Sequence, residues 1–200
     1  MCFRRELLKD SATKGNVFYD RGLWDNILKN LKFLPRSKAE NNYKCKQLVA
    51  YIVIKSGKSY LSYRRTEKCE EEELINKLSV GIGGHINISD RRQSMLDSGS
   101  NRKKMDFVLR AVRREIKEEI DIRSRILGKP ELVCFINDDS NMVGLKHFGV
   151  VWLLEIEKPQ VLRRGKGIGK IEFRDIDYLK AHELNFERWS QILIDFFSRN

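Results

Sequence analysis

Apolar positions change their period several times along the chain. Leu23, Trp24, Ile27, Leu28 and Leu31 recur at helical spacing, which predicts an amphipathic helix within a stretch, 1–42, that otherwise reads as a basic arm. LPRSKAENNYK reads as a connection. From Gln47 the pattern becomes that of strands. QLVAYIVIK is a β-branched run suited to a buried strand, KSGKS is a turn, and SYLSYRR returns as the second arm of a hairpin. EKCEEEEL reads as a solvated acidic surface. KLSVGIGGHINIS predicts a strand crowded with glycine, as happens at a bulge or where another group must approach the backbone closely. Residues 89–104 form a polar, basic loop of the length usual for functional or disordered segments. MDFVLRAVRREIKEEI predicts a helix with Phe107, Val108, Ala111, Val112 and Ile116 on its apolar side. ELVCFI and HFGVVWLLEI read as strands separated by NDDSNMVGLK. RRGKGIGK is a basic glycine-rich loop and KIEFRDI a short strand. NFERWSQILIDFF closes the chain as an amphipathic helix, with Phe186, Trp189, Ile192, Leu193, Phe196 and Phe197 facing inward. No internal repeat is present. Strands and helices do not alternate one by one, so the order predicts an α/β (α+β) fold with a mixed sheet packed between helices, not a doubly wound parallel sheet.

Composition narrows the class. At 200 residues, 41% hydrophobic and 34% charged, the chain suits one domain with an arm and excludes collagen-like and mucin-like proteins. No apolar run approaches the ~18 residues that span a bilayer, and MCFRRELLKD has no apolar signal-peptide region, so a cytoplasmic protein is expected. Cys2, Cys45, Cys69 and Cys134 form no CxxC pair and no Cys/His cluster. Free thiols in a reducing compartment, and no zinc site, follow. Net charge is 39 − 28 = +11 and is spread over both halves. Such an excess favours polyanionic ligands, whether nucleotides, phosphorylated metabolites or nucleic acid, although a generic basic surface carries the same charge.

The candidate chemistry lies in RREIKEEI, residues 113–120. Glu115, Glu118 and Glu119 stand at i, i+3 and i+4, on one face of a helix. Three adjacent carboxylates repel one another, so this face meets solvent or cations. Mg²⁺ and Mn²⁺ prefer oxygen ligands and bridge carboxylates to phosphate oxygens. Arg114, four residues before Glu118, is placed to orient it. An ordinary exposed helix of Glu, Lys and Arg has the same octet. RRGKGIGK is not a phosphate-binding loop of either glycine-rich pattern: Arg164 stands where one requires its first glycine, Ile171 follows the lysine, and Lys170 takes the last place of the other.

Extended to R114-E-I-K-E-E-I-D-I122, the octet closely resembles the Nudix box, R-E-U-x-E-E-x-G-U with U aliphatic. GIGGH (81–85) resembles the glycine-rich strand that precedes that helix, and Ala111 falls where the family has alanine. FLPRSKAE, YRRTEK, SVGIGGHIN, INDDSNMVG and ERWSQILID resemble one subgroup of predicted phosphoesterases without a defined substrate, over roughly residues 33–197. The resemblance implies a Nudix-type α/β/α sandwich with a mixed, mostly antiparallel sheet, placed in residues 43–200; the apolar helix face within 1–42 predicts that this arm packs on it. It implies a Mg²⁺ or Mn²⁺ site of Glu115, Glu118 and Glu119, with a carbonyl from Gly84 or its neighbour Gly83. It further implies Glu118, Glu119 and Arg114 as catalytic residues. Glu172 is a base candidate outside the box, or a solvated strand glutamate. His85, Arg64, Asn137 and Asp138 are candidates for substrate contacts, beside the plainer readings of a structural histidine, a snorkelling arginine and ordinary turn formers. Tyr63 and Arg65 share the phosphate-or-snorkel choice.

Three positions depart from the box. Asp106 stands where glutamate is usual, which bears on how Arg114 is oriented. Ser100 replaces the first glycine, so Gly84 serves instead and 85–104 is an insertion. Asp121 replaces the glycine that ends the helix, a place where positive φ is favoured. The function expected is hydrolysis of a diphosphate linkage in a small phosphorylated substrate. A binding module for nucleotide or RNA without turnover is the alternative, drawn from the charge and the basic insertion. An isomerase resembling isopentenyl diphosphate isomerase is disfavoured, because no cysteine lies near GIGGH. No membrane partner is expected, and the oligomeric state is left open, a homodimer included.

Overall fold

The computed structural model describes residues 1–8, 16–40, 42–69, 71–90 and 101–199, with side chains of the last stretch from 106 onward. The strands are β1 (Cys2–Arg4), β2 (Val17–Phe18), β3 (Cys45–Ser56), β4 (Ser59–Arg65), β5 (Leu78–Ser79), β6 (Gly81–His85), β7 (Ile120–Ile122), β8 (Glu131–Ile136), β9 (His147–Glu155), β10 (Val161–Arg163) and β11 (Ile168–Asp175). The α-helices are α1 (Arg21–Lys29), α2 (Arg36–Glu40), α3 (Asn101–Glu119), α4 (Met142–Lys146), α5 (Ile176–Ala181) and α6 (Arg188–Ser198). The architecture is α/β with a mixed, mostly antiparallel sheet, as the order of elements and the family resemblance together imply. No helix among the described residues is long and apolar enough to cross a membrane.

The chain divides into two units: residues 1–50, 84–113 and 134–150, and residues 51–83, 114–133 and 151–200. In the first unit the strand order is β3, β9, β8, β2, and β1 also pairs with β3, Cys2 opposite Gln47. Its core gathers rings: Phe3 meets Phe148 edge-on at 5.3 Å, and Trp24 lies 5.0 Å from Phe135. Helix α1 starts where the Asp20 side chain accepts the Leu23 amide (2.8 Å), and it buries Trp24, Ile27 and Leu28. Strands β1 and β2 and helix α2 fall in stretches that read as an arm and a connection. Each is too short to display a period.

In the second unit the order is β11, β4, β3, with β5 on β4, and β7 pairs with β10 as a separate ribbon. Gly57 makes the tight β3–β4 turn at φ +57°, a conformation that costs glycine little. Helix α6 buries Trp189, Ile192, Leu193 and Ile194, while Phe196 and Phe197 are only half-buried. Helix α3 begins at Asn101, so 101–104 belong to it and not to a loop; residues 89–90 lie in a short 3-10 turn (Ile88–Asp90), and 91–100 lie outside the described residues. At its other end α3 passes straight into β7. Asp121 therefore lies in a strand opposite Leu162, and among described non-glycine residues only Asn76 has positive φ. The helix needs no glycine there because ribbon pairing draws the backbone into an extended path.

Candidate active site

The last turns of α3 bring Arg114, Glu115, Glu118 and Glu119 together in the second unit. One Arg114 nitrogen, Nη1, donates to Glu115 Oε1 (2.7 Å) and to Glu118 Oε2 (3.0 Å), so the arginine is oriented by the box itself. Glu115 is only 6% exposed, so at this residue the acidic face does not meet open solvent. Burial raises its pKa to about 7. Arg114 pulls the other way, and the Glu118 and Glu119 charges add to the rise. The Glu119 carbonyl accepts the Arg164 and Gly165 amides, each at 2.9 Å, and its carboxylate lies against Gly165, where a Cβ would stand 1.7 Å from Oε2.

The donor set suits a hard divalent cation. It consists of carboxylate oxygens on one helix face, one of them buried among like charges that a cation would relieve. Among the described residues, however, no three His, Cys, Asp or Glu side chains are drawn close enough to form a ready metal cluster. Arg114 bridges two of the carboxylates in this arrangement.

Three other predicted positions of this unit have different surroundings. Glu172 on β11 pairs with Lys170 (2.6 Å) and Arg174 (3.3 Å), and the Lys170 hydrogen bond holds its carboxyl below the usual range. That is the environment of a surface ion pair. Arg64 is exposed and donates to the Asn76 carbonyl (2.7 Å). Gly83 is exposed, with φ +154°, a backbone that requires glycine.

Gly84, His85, Asn137 and Asp138 fall in the first unit. His147 is buried; its Nδ1 faces the Val143 carbonyl (2.7 Å) and its Nε2 faces His85 Nε2 (2.9 Å). Burial lowers the His147 pKa to about 4, so the ring is neutral. A neutral ring that donates from Nδ1 accepts at Nε2, which makes His85 Nε2 the donor. Asp138 is 2% exposed and its carboxylate takes the Ser140 amide and hydroxyl, closing its own turn. Asn137 is buried, and among the described residues its Oδ1 has no hydrogen-bond partner. Beside them Lys46, fully buried, donates to Asp139 (2.5 Å) and to the Gly144 (2.7 Å) and His147 (3.2 Å) carbonyls.

A polar network inside the second unit has no counterpart in the sequence reading. The buried Glu187 carboxylate accepts from Tyr51 (2.7 Å) and Ser190 (2.5 Å), while Ser79 and Tyr63 each donate to the Gly81 carbonyl at 3.0 Å. Tyr63 is thus turned inward, and Arg65 lies beside it, donating to Ser79 (3.4 Å) and Cys69 Sγ (3.7 Å). Neither side chain snorkels. The available signal was Tyr51, the one polar side chain within the apolar run Leu48–Ile54 of β3.

No family model matches the chain. Protein YmaB of Bacillus subtilis (strain 168) is 30% identical over 197 residues, covering 94% of this chain and 90% of its own. Among solved structures, Tm1382, classed with the Nudix hydrolases, matches with a TM-score of 0.75 at 24% identity over 98% of this chain and 96% of that one. The MutT protein of Methanosarcina mazei Go1 matches at 0.50 and 16% identity, over 77% of this chain and 94% of that one. A bifunctional NMN adenylyltransferase/ADP ribose pyrophosphatase of Francisella tularensis, complexed with AMP and a Mn ion, matches at 0.52 and 11% identity; the likeness spans 77% of this chain and 41% of that one. These likenesses show the Nudix fold.

Proposed function

The chain belongs to the family of Protein YmaB and has the Nudix fold, and from that premise we propose that it is a divalent-metal-dependent hydrolase of a diphosphate linkage in a small phosphorylated substrate. The observation that carries the reading is the carboxylate set on the last turns of α3, with Glu115 buried and its pKa raised to about 7. Glu115, Glu118 and Glu119 would hold Mg²⁺ or Mn²⁺. Such an ion neutralises diphosphate oxygens and lowers the pKa of a bound water.

The chain's own residues supply the rest. Arg114 keeps Glu115 and Glu118 in one orientation. Glu118, with a side chain 56% exposed, is free to face substrate and accept the proton of the attacking water. Glu172 is the weaker base candidate, since two cations hold its carboxyl below the usual range.

The test is a panel of nucleoside and sugar diphosphates with Mg²⁺ or Mn²⁺, run on the wild type and on Glu118→Gln. We expect cation-dependent cleavage of at least one compound, reduced by about a hundredfold or more in the variant. Turnover of nothing on the panel would leave the second reading: a nucleotide- or RNA-binding module of the same fold, its affinity falling steeply with salt. Equal turnover by the variant would overturn the role given to Glu118.

A further inference from the structure

We infer that Gly165 is a positioning residue for the proposed metal site, because the space left by its missing side chain is the seat of the Glu119 carboxylate. The inference rests on the reading of Glu119 as a metal ligand.

The turn between β10 and β11 is bound to the end of the box helix. The last carbonyls of a helix have no donor within the helix, and this turn provides donors for two of them. Arg164 N and Gly165 N donate to the Glu119 carbonyl at 2.9 Å each, and Arg164 Nη1 donates to the Lys117 carbonyl at 3.3 Å. Arg164 Nη2 also pairs with Asp121 at 3.1 Å. The far side of the turn is tied to the end of β4: Thr66 N donates to the Gly167 carbonyl (3.0 Å) and Thr66 Oγ1 to the Lys166 carbonyl (2.6 Å). Gly165 is thus held from both sides.

The Glu119 side chain lies in the resulting notch. A Cβ at Gly165 would stand 1.7 Å from Oε2, 2.6 Å from Cδ and 3.2 Å from Oε1. Those are the end atoms of a flexible side chain, so an added methyl can evict them without moving backbone. Gly169 is different, because a Cβ there would come within 2.6 Å of the Arg64 carbonyl oxygen. At Gly167 the nearest atom would be 3.7 Å away, an ordinary contact. The one glycine of this turn whose enlargement falls on a carboxylate is therefore Gly165. This assigns a role to the RRGKGIGK loop, which matches no phosphate-binding pattern: it fixes one acidic side chain relative to its helix. Metal ligands oriented in this way depend on the groups that hold them, and losing such a group costs about tenfold or more in metal affinity.

The experiment measures Mn²⁺ binding without substrate, from the electron paramagnetic resonance signal of the free ion, together with thermal melting in the absence of metal. Wild type, Gly165→Ala, Gly167→Ala, Glu119→Gln and the Gly165→Ala/Glu119→Gln pair are compared. We expect Gly165→Ala to melt within about 2 °C of the wild type and to bind Mn²⁺ about tenfold more weakly. Gly167→Ala should bind like the wild type. The double variant should bind no more weakly than Glu119→Gln alone, because both changes remove the same carboxylate.

Wild-type affinity in Gly165→Ala beside a weakened Glu119→Gln would overturn the inference and spare the hydrolase reading. Additive losses in the double variant would overturn it as well. So would a large drop in melting temperature for Gly165→Ala, which would mean that the backbone, not the carboxylate, demands glycine. Undiminished binding in Glu119→Gln would remove the inference together with the ligand role it rests on.

Discussion

His147 shows how one buried side chain sets an acid limit on the protein. Its ring is neutral in the fold, with a pKa lowered to about 4 by burial, while in the unfolded chain it titrates near the ordinary histidine value of 6.5. Between those values the unfolded chain binds a proton that the folded chain does not, so stability falls as pH falls through that window. The loss approaches about 3 kcal/mol at the lower end. Urea unfolding at pH 7 and pH 4.5 should show this loss in the wild type and a smaller one in His147→Gln. Equal losses in both would assign the acid sensitivity elsewhere. Gly81 makes the opposite point to Gly165. A Cβ there would stand 1.8 Å from the Tyr51 ring, and that ring is pinned by hydrogen bonds to Glu187 (2.7 Å) and Ser190 (2.9 Å). Gly81→Ala should therefore cost about 2–3 kcal/mol of stability, read by the same unfolding measurement. An unchanged midpoint would show that the ring can yield.

Glu187 joins helix α6 to the strands around it. Its carboxylate accepts the Trp189 (2.8 Å) and Ser190 (3.1 Å) amides as the helix cap, and it also takes the Tyr51 hydroxyl. The Ser190 hydroxyl reaches on to accept the Val80 amide (2.9 Å). Removing the carboxylate deletes a cap and takes from the buried Tyr51 and Ser190 hydroxyls their charged acceptor, so Glu187→Ala should destabilise by about 2–4 kcal/mol. Tyr51→Phe, which removes a single donor, should cost less. The reverse order, measured by urea midpoints, would shift the weight of the network from the carboxylate to the ring.

At this scale it is also clear what the chain reveals by itself. Helices α1, α3 and α6 and the β3–β4 hairpin are long enough to display a period, and the structure has them. Strands β1 and β2 span two or three residues and owe their form to partners remote in sequence, as Cys2 does to Gln47, while helices α2 and α4, of five residues each, are too short to display a period. The spacing of Glu115, Glu118 and Glu119 places them on one face. That Glu115 is buried depends on what packs over that face, and no spacing records it. Gly165 and the Tyr51–Glu187 pair are hidden for the same reason, since each acts on a residue at least 46 positions away in sequence.

For the molecule as a whole, the balance of charge would make a divalent cation bound at the proposed site a stabiliser of the fold. The net charge is +11, yet at the box three carboxylates share one helix face, and burial and mutual repulsion raise Glu115 to about 7. An ion held there binds the folded chain and not the unfolded one, and stabilises it by about 2.7 kcal/mol at a hundredfold excess over its dissociation constant. For a chain of 200 residues that corresponds to a rise of about 5 to 10 °C in melting temperature. Mn²⁺ should raise the melting temperature of the wild type by that amount, EDTA should reverse the rise, and Glu118→Gln should lose most of it. Sodium chloride at equal ionic strength separates site binding from general screening, because screening acts on charges spread over both halves of the chain and does not depend on Glu118. A Mn²⁺ shift of the same size in Glu118→Gln, or one reproduced by sodium chloride alone, would mean that the acidic face of α3 holds no ion, and the proposed chemistry would lose its foundation.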